Sequence, residues 1–249
     1  MTEPIRINDL ISLRDDLPEH NLTQGQIGRV IELFASDEFE VMFADEQRRG
    51  TATIQLRLRQ MRVLHHEAML DDAAFWRIIE DAKAESDGNR EREYQILVDK
   101  LAEMSIADIF EFGDLFQKFY ALAYRRELWA AAFLIGNGCG DDSFMDFRGW
   151  LIAQGEGVFH DAMRDPETLL DRVEIKCFDG WIYGDAESWA INSVNWDAFE
   201  KKTGEEVPIL PGVWMPTELT GVDWHEETVP KMYPKLAAKF WSKECDDQA

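Results

Sequence analysis

The stretch GNGCGDDSFMDFRGWLIAQG, Gly136 to Gly155, decides how this chain is read. Gly136, Gly138 and Gly140 are spaced for a turn in which the backbone passes through positive φ after a helix. Asp141, Asp142 or Ser143 then stands where a helix cap is needed, and Ser143 with Asp146 three residues on approximates a capping box. In the helix that follows, Phe144, Phe147, Leu151 and Ile152 share one face. Arg148 falls in the middle of that face, while Asp142 and Asp146 point away from it. An unpaired buried guanidinium is costly, so a carboxylate partner is expected for Arg148.

The residues leading in supply one. From Ser105, with Asp108 three residues later, a long helix is predicted, with Ile109, Phe112, Phe116, Tyr120, Ala123, Ala130 and Leu134 on its apolar face. If it is regular throughout, Glu127 lies on that face, and a Glu127–Arg148 ion pair between two packed helices is expected, with Asp141 the next candidate. The glycines do not make a phosphate loop, because a helix precedes them and two aspartates stand where the anion would sit. The aspartate spacing is not that of a calcium loop. No metal and no cofactor are expected.

Toward the N-terminus the periodicity changes. Ile7 to Leu13, Gly28 to Phe34, Phe39 to Phe43 and Thr53 to Leu58 read as short strands, with Phe34, Phe39 and Phe43 as core. Strands at this spacing predict a small barrel over residues 1–66. The last strand puts Ile54, Leu56 and Leu58 on one face and Gln55, Arg57 and Arg59 on the other, with Arg48, Arg49 and Arg62 nearby in sequence. That arginine face either binds RNA or rests against the acidic remainder of the chain; the aromatic platforms that stack bases are missing, which favours docking or solvation. His65-His66-Glu67 reads as a solvated linker. The run DLISLRDDLPEHNLTQGQIGRVIELFASDEFEVMFAD resembles the bacterial domain-of-unknown-function family forty-nine-twenty-six, which implies an SH3-like barrel over residues 5–64 and no chemistry.

From Asp71 the pattern is helical. Phe75, Trp76, Ile79 and Ala82 form one stripe, and Tyr94, Leu97, Val98 and Leu101 a second. After the central stretch come a short helix from Glu156 to Met163, another opened by Pro166, a turn around Trp181 and Tyr183, and a helix from Glu187 to Thr203 ended by Gly204. A proline- and glycine-marked loop, PILPGVWMPTELTG, and a last broken helix close the chain. Phe75-Trp76, Leu128 to Ile135, the run GCGDDSFMDFRGWL, Lys202 to Pro208 and Trp224 to Leu236 resemble the bacterial family forty-two-forty, a mainly helical domain of unknown function. The expected architecture is therefore α+β: an SH3-like β-barrel over 1–66, then a mainly α-helical domain over 70–249, with the boundary between His65 and Asp72.

The formal net charge is −23. Residues 1–66 hold 8 Arg and no Lys against 11 acidic residues, so the remainder, with 18 basic and 38 acidic residues, carries −20 of it. Such a field opposes binding of nucleic acid or an anionic membrane and favours a basic protein partner. No apolar run is long enough to span a bilayer. The N-terminus, MTEPIRINDL, lacks a secretory apolar region, and Cys139, Cys177 and Cys245 lie far apart in no zinc spacing, which fits a reducing cytoplasm. Three function classes follow. The first is a non-enzymatic interaction module, of the immunity-protein or antitoxin kind, with Asp141, Asp142, Asp146 and Trp150 as candidate contacts. The second is an enzyme drawing acid–base groups from Asp141, Asp142, Asp146 or His160. The third is an RNA-associated regulator using the arginine face. Trp150, Trp181 and Trp189 are anchors for a partner only if exposed. The spacing alone does not set the oligomeric state.

Overall fold

The computed structural model describes residues 5–7, 9–35, 37–44, 51–64, 70–178, 181–188, 190–204, 218–241 and 244–245. Arg48, Arg49, the His65–Glu67 linker, Trp189 and most of the PILPGVWMPTELTG loop lie outside them. In the N-terminal region, β1 (Leu10–Leu13), β2 (Ile27–Ala35), β3 (Glu38–Ala44), β4 (Thr51–Arg57) and β5 (Met61–Val63) form one antiparallel sheet in the order β4-β3-β2-β1-β5. The period of two explains its core: Val30, Phe39, Val41, Phe43, Ile54 and Leu56 are buried together with Ile11, Leu13 and Met61.

Two sequence expectations fail here. Phe34 is 47% exposed, because the β2–β3 register shifts between Leu33 and Ala35 and the bulge turns Leu33 and Phe34 outward. Leu58 is also exposed, because β4 ends at Arg57 and Leu58–Gln60 is a 3₁₀ turn leading to β5.

The rest is mainly helical: α1 (Asp72–Ser86), α2 (Arg90–Glu103), α3 (Ile106–Leu122), α4 (Arg126–Ile135), α5 (Asp141–Ala153), α6 (Glu156–Arg164), α7 (Val194–Thr203), α8 (Val229–Met232) and α9 (Pro234–Phe240). A hairpin of β6 (Glu174–Phe178) and β7 (Trp181–Asp185) stands where a simple turn was expected. The helix expected from Glu187 begins as a 3₁₀ turn at Ala190 and becomes α-helical at Val194.

Packing gathers the chain into two compact units. The first comprises Met1–Asp71, Val98–Asp114 and Asn195–Val213; the second comprises Asp72–Leu97, Leu115–Val194 and Trp214–Ala249. A single cut between 1–66 and 70–249 therefore describes the sequence pattern, while three helical pieces join the sheet in the first unit. An Arg29–Asp114 ion pair joins β2 to α3, Phe110 packs on Phe199 at 5.3 Å, and Lys201 reaches Asp99 at 2.6 Å. Docking of the sheet thus uses Arg29, while Arg57 of the expected basic face pairs with Glu38 within the sheet. Ser105 and Asp108 form the expected cap of α3, with Ser105 Oγ donating to Asp108 Oδ2 at 2.6 Å and accepting from Asp108 N–H at 3.1 Å. In the second unit the core is aromatic, with Trp76 4.5 Å from Phe119 and 5.3 Å from Phe159.

The long helix expected through Leu134 is broken. Arg125 is extended (φ −132°, ψ 143°), and Arg126 N–H donates to Thr220 O at 2.8 Å. A tertiary strand bridge between Arg125 and Thr220 replaces the helical ladder here.

Candidate functional site

The α4–α5 turn contains less polar capping than its sequence implies. Of its glycines only Gly138 has a positive φ, +127°, preceded by Asn137 at +53°. The cap of α5 is Gly140, without a side-chain hydrogen bond, so the expected Asp141, Asp142 or Ser143 cap is corrected. Asp141 and Asp142 are exposed in the first turn, where negative charge complements the helix dipole. Asp146 is half-buried, and burial, then the nearby Asp142, raises its pKa. Trp150, proposed beside these aspartates as a surface contact, is 2% exposed and packs inward. The structure therefore does not bring Trp150 to the surface that carries Asp141 and Asp142.

Arg148 is 1% exposed, as its place on the apolar face implied, but its partner is not Glu127. Its guanidinium carbon lies 3.8 Å from the Tyr120 ring centroid, 4.9 Å from Tyr124 and 5.2 Å from Phe144. Nη1 donates to Tyr120 O at 3.1 Å, and Nε makes no hydrogen bond. Ring quadrupoles and a carbonyl thus supply the negative charge expected from a carboxylate. Burial still lowers the pKa of Arg148, against the opposing pull of Tyr120 and Tyr124. Glu127 is drawn elsewhere by the break before α4: it sits 3.6 Å from Arg125 Nε and accepts from Val222 N–H at 3.0 Å.

His160, the remaining acid–base candidate, is exposed. His160 meets the rings of Trp76, Phe119 and Phe159 edge-on. Burial, reinforced by Glu187 and Asp141, pushes the Cys139 thiol up to about 12, which removes its nucleophilicity at neutral pH. Among the described residues, no three His, Cys, Asp or Glu side chains are grouped to hold a metal. Cys177 and Cys245, far apart in sequence, are joined as a disulfide with Cα atoms 6.3 Å apart, so the cysteine spacing does not support the expectation of a reducing compartment.

A different part of the second unit forms a cleft of about 210 Å³. The start of α2 contributes Glu91, Glu93 and Tyr94; the end of α5 contributes Trp150 and Gln154; Glu187 and Ile191 come from the segment before α7. Gly149 permits this approach: a Cβ there would stand 2.5 Å from Asn192 Oδ1 and 3.0 Å from both Ile191 Cγ2 and Ser188 O. Arg90 ties the entrance to β7, donating to Asp185 Oδ1 at 2.6 Å and Glu187 O at 3.3 Å.

Glu93 is the unusual group. It is 9% exposed, and its Oε1 is buried without a hydrogen-bond partner. Burial raises its pKa, opposed by Lys83 and Arg90. Lys83 caps the end of α5, donating to Gln154 Oε1 at 2.6 Å, Gln154 O at 3.3 Å and Ala153 O at 3.4 Å. Its pKa is lowered by burial, against the pull of Glu93. Sequence reading missed this cleft. Glu93 sits one residue before Tyr94 of the apolar stripe, which was the available signal.

A small antiparallel sheet followed by an acidic, mainly helical region with a carboxylate-lined cleft is the class of protein that this fold defines. More narrowly, the chain belongs to the family described as "Protein of unknown function (DUF4240)", whose model matches residues 70–201. Residues 7–63 match "Domain of unknown function (DUF4926)". These are the families forty-two-forty and forty-nine-twenty-six, in the order read from the sequence. No curated protein and no solved structure matches the chain.

Proposed function

We propose that the helical region is an acidic protein-interaction module that binds a basic partner and performs no chemistry, in the manner of an immunity protein or antitoxin. The charge of −20 on residues 67–249 carries this reading. Complementary charge steers a basic protein into contact and makes its association rate fall with salt. Asp141 and Asp142, exposed at the start of α5, supply part of that field. Asp146 contributes less, being half-buried. The RNA reading receives less support, because Arg57 of its arginine face is already paired with Glu38.

Affinity capture from native lysate, at low and high salt, tests the module. The control is a chain with Asp141→Asn, Asp142→Asn and Asp146→Asn together. A basic protein retained at low salt, released at high salt and weakened by the triple variant is the expected outcome. Turnover in a substrate screen without any such protein would move the function to the enzyme class.

A further inference from the structure

We propose that the cleft between the start of α2 and the end of α5 is a socket for one cationic side chain, arginine or lysine, of a protein partner. The inference rests on the acidic-module reading and names the contact through which a basic partner is anchored.

The argument begins with an unmet valence. Glu93 is nine-tenths buried, lines the cleft, and leaves Oε1 without a hydrogen bond. Buried polar atoms in folded proteins nearly always have partners, so an acceptor left open beside a cavity marks the place of a missing donor. The neighbouring cations do not fill it. The Lys83 ammonium, with three donors, has three acceptors in Ala153 O, Gln154 O and Gln154 Oε1. Arg90 is engaged with Asp185 and the Glu187 carbonyl. Neither cation donates to Glu93 Oε1, and the socket assigns that donor to the side chain of a partner.

Charge and shape narrow what can enter. Glu91 and Glu187, both exposed, flank Glu93 along the lining and oppose a phosphate or carboxylate ligand. Leu97, Trp150 and Ile191 supply apolar wall, which suits the alkyl stem of a long basic side chain. The volume, about 210 Å³, lies below the roughly 300 Å³ at which pockets for drug-sized ligands begin. It fits a side chain better than a whole cofactor.

The test uses the full chain and two blocked amino acids, Nα-acetyl-arginine amide and Nα-acetyl-lysine amide, with the neutral citrulline counterpart as control. Binding is followed by NMR at the Trp150 indole and Gln154 carboxamide signals. The cationic probes are expected to shift both signals and the citrulline probe neither. Glu93→Gln should weaken probe binding by at least about tenfold while unfolding at no lower temperature, which separates the socket from a folding role. The Asp141, Asp142 and Asp146 triple variant should bind the probes like the parent chain. Equal binding of the citrulline probe, unchanged binding by Glu93→Gln, or no shift at Trp150 and Gln154 overturns the socket. Salt-sensitive capture of a basic protein that survives Glu93→Gln unchanged also overturns it, and leaves the module reading standing. Probe binding with no basic protein captured sinks the module reading and, with it, the partner side chain as occupant.

Discussion

At the scale of the residue, Arg148 shows how a buried cation is accommodated without an acid. Three rings and one carbonyl surround its guanidinium, and burial depresses its pKa. Because the charge is desolvated without a salt bridge, Arg148→Met should stay within about 1 kcal/mol of the parent in denaturant unfolding. Arg148→Ala removes the packing as well and should cost on the order of 3 kcal/mol. Equal losses in the two variants would show that the charge itself stabilises the site. Glu93 makes a prediction of opposite character. Its folded-state pKa is raised above the ordinary 4.5 by burial, so the folded protein holds this proton more tightly than the unfolded chain does. The contribution is complete below pH 4.5 and is lost as pH rises through the raised value. Glu93→Gln should therefore abolish that part of the decline and unfold at or above the parent temperature at neutral pH. Thermal melts of both chains from mildly acidic to neutral pH check it; parallel profiles would contradict it.

At the scale of the element, the break between α3 and α4 reorganises everything that the Glu127 expectation relied on. No proline or glycine marks it in Ala123-Tyr124-Arg125-Arg126, and the acceptor for the Arg126 N–H is Thr220 O, far along the chain. Gly221 is part of the same contact: its φ is +105°, and a Cβ there would collide with the Glu127 carboxylate. Gly221→Ala should cost about 1–3 kcal/mol from backbone strain, with an additional loss from that collision. A double-mutant cycle separates the two, because the collision disappears in a Glu127→Ala background. Strict additivity would remove Glu127 from the explanation. The hairpin of β6 and β7 is a second element that a reading for helices passed over, although Glu174 to Phe178 and Trp181 to Asp185 flank an Asp-Gly pair, a strong hairpin signal.

At the scale of the whole molecule, charge and the cross-link dominate. The disulfide joins Cys177 of β6 to Cys245 across 68 residues. Closing a loop of that length restricts the unfolded chain by about 4 kcal/mol on the entropic account. Reduction, or Cys245→Ser, should therefore lower the unfolding midpoint. Thiol titration of the denatured, unreduced chain should find only Cys139. Recovery of all 3 cysteines as thiols, with no change in midpoint on reduction, would contradict the link. Among the described residues no helix is long and apolar enough to cross a membrane.

Much of the architecture was legible in local pattern. Alternation placed Phe39, Val41, Phe43, Ile54 and Leu56 in the sheet core, and helical spacing placed Phe75, Trp76 and Ile79 in the core of the second unit. The Ser105–Asp108 cap and the burial of Arg148 were readable for the same reason: each depends on residues within one or two turns. By itself, then, the sequence determined the sheet-then-helix order, most of the inward faces and the acidic field. Tertiary structure alone decided where α3 stops, which rings hold Arg148, how helical pieces join the sheet, and that Glu93 faces a cleft. Those outcomes depend on groups tens of residues apart, such as Arg126 with Thr220 and Gly149 with Asn192, and no local period encodes a distant approach.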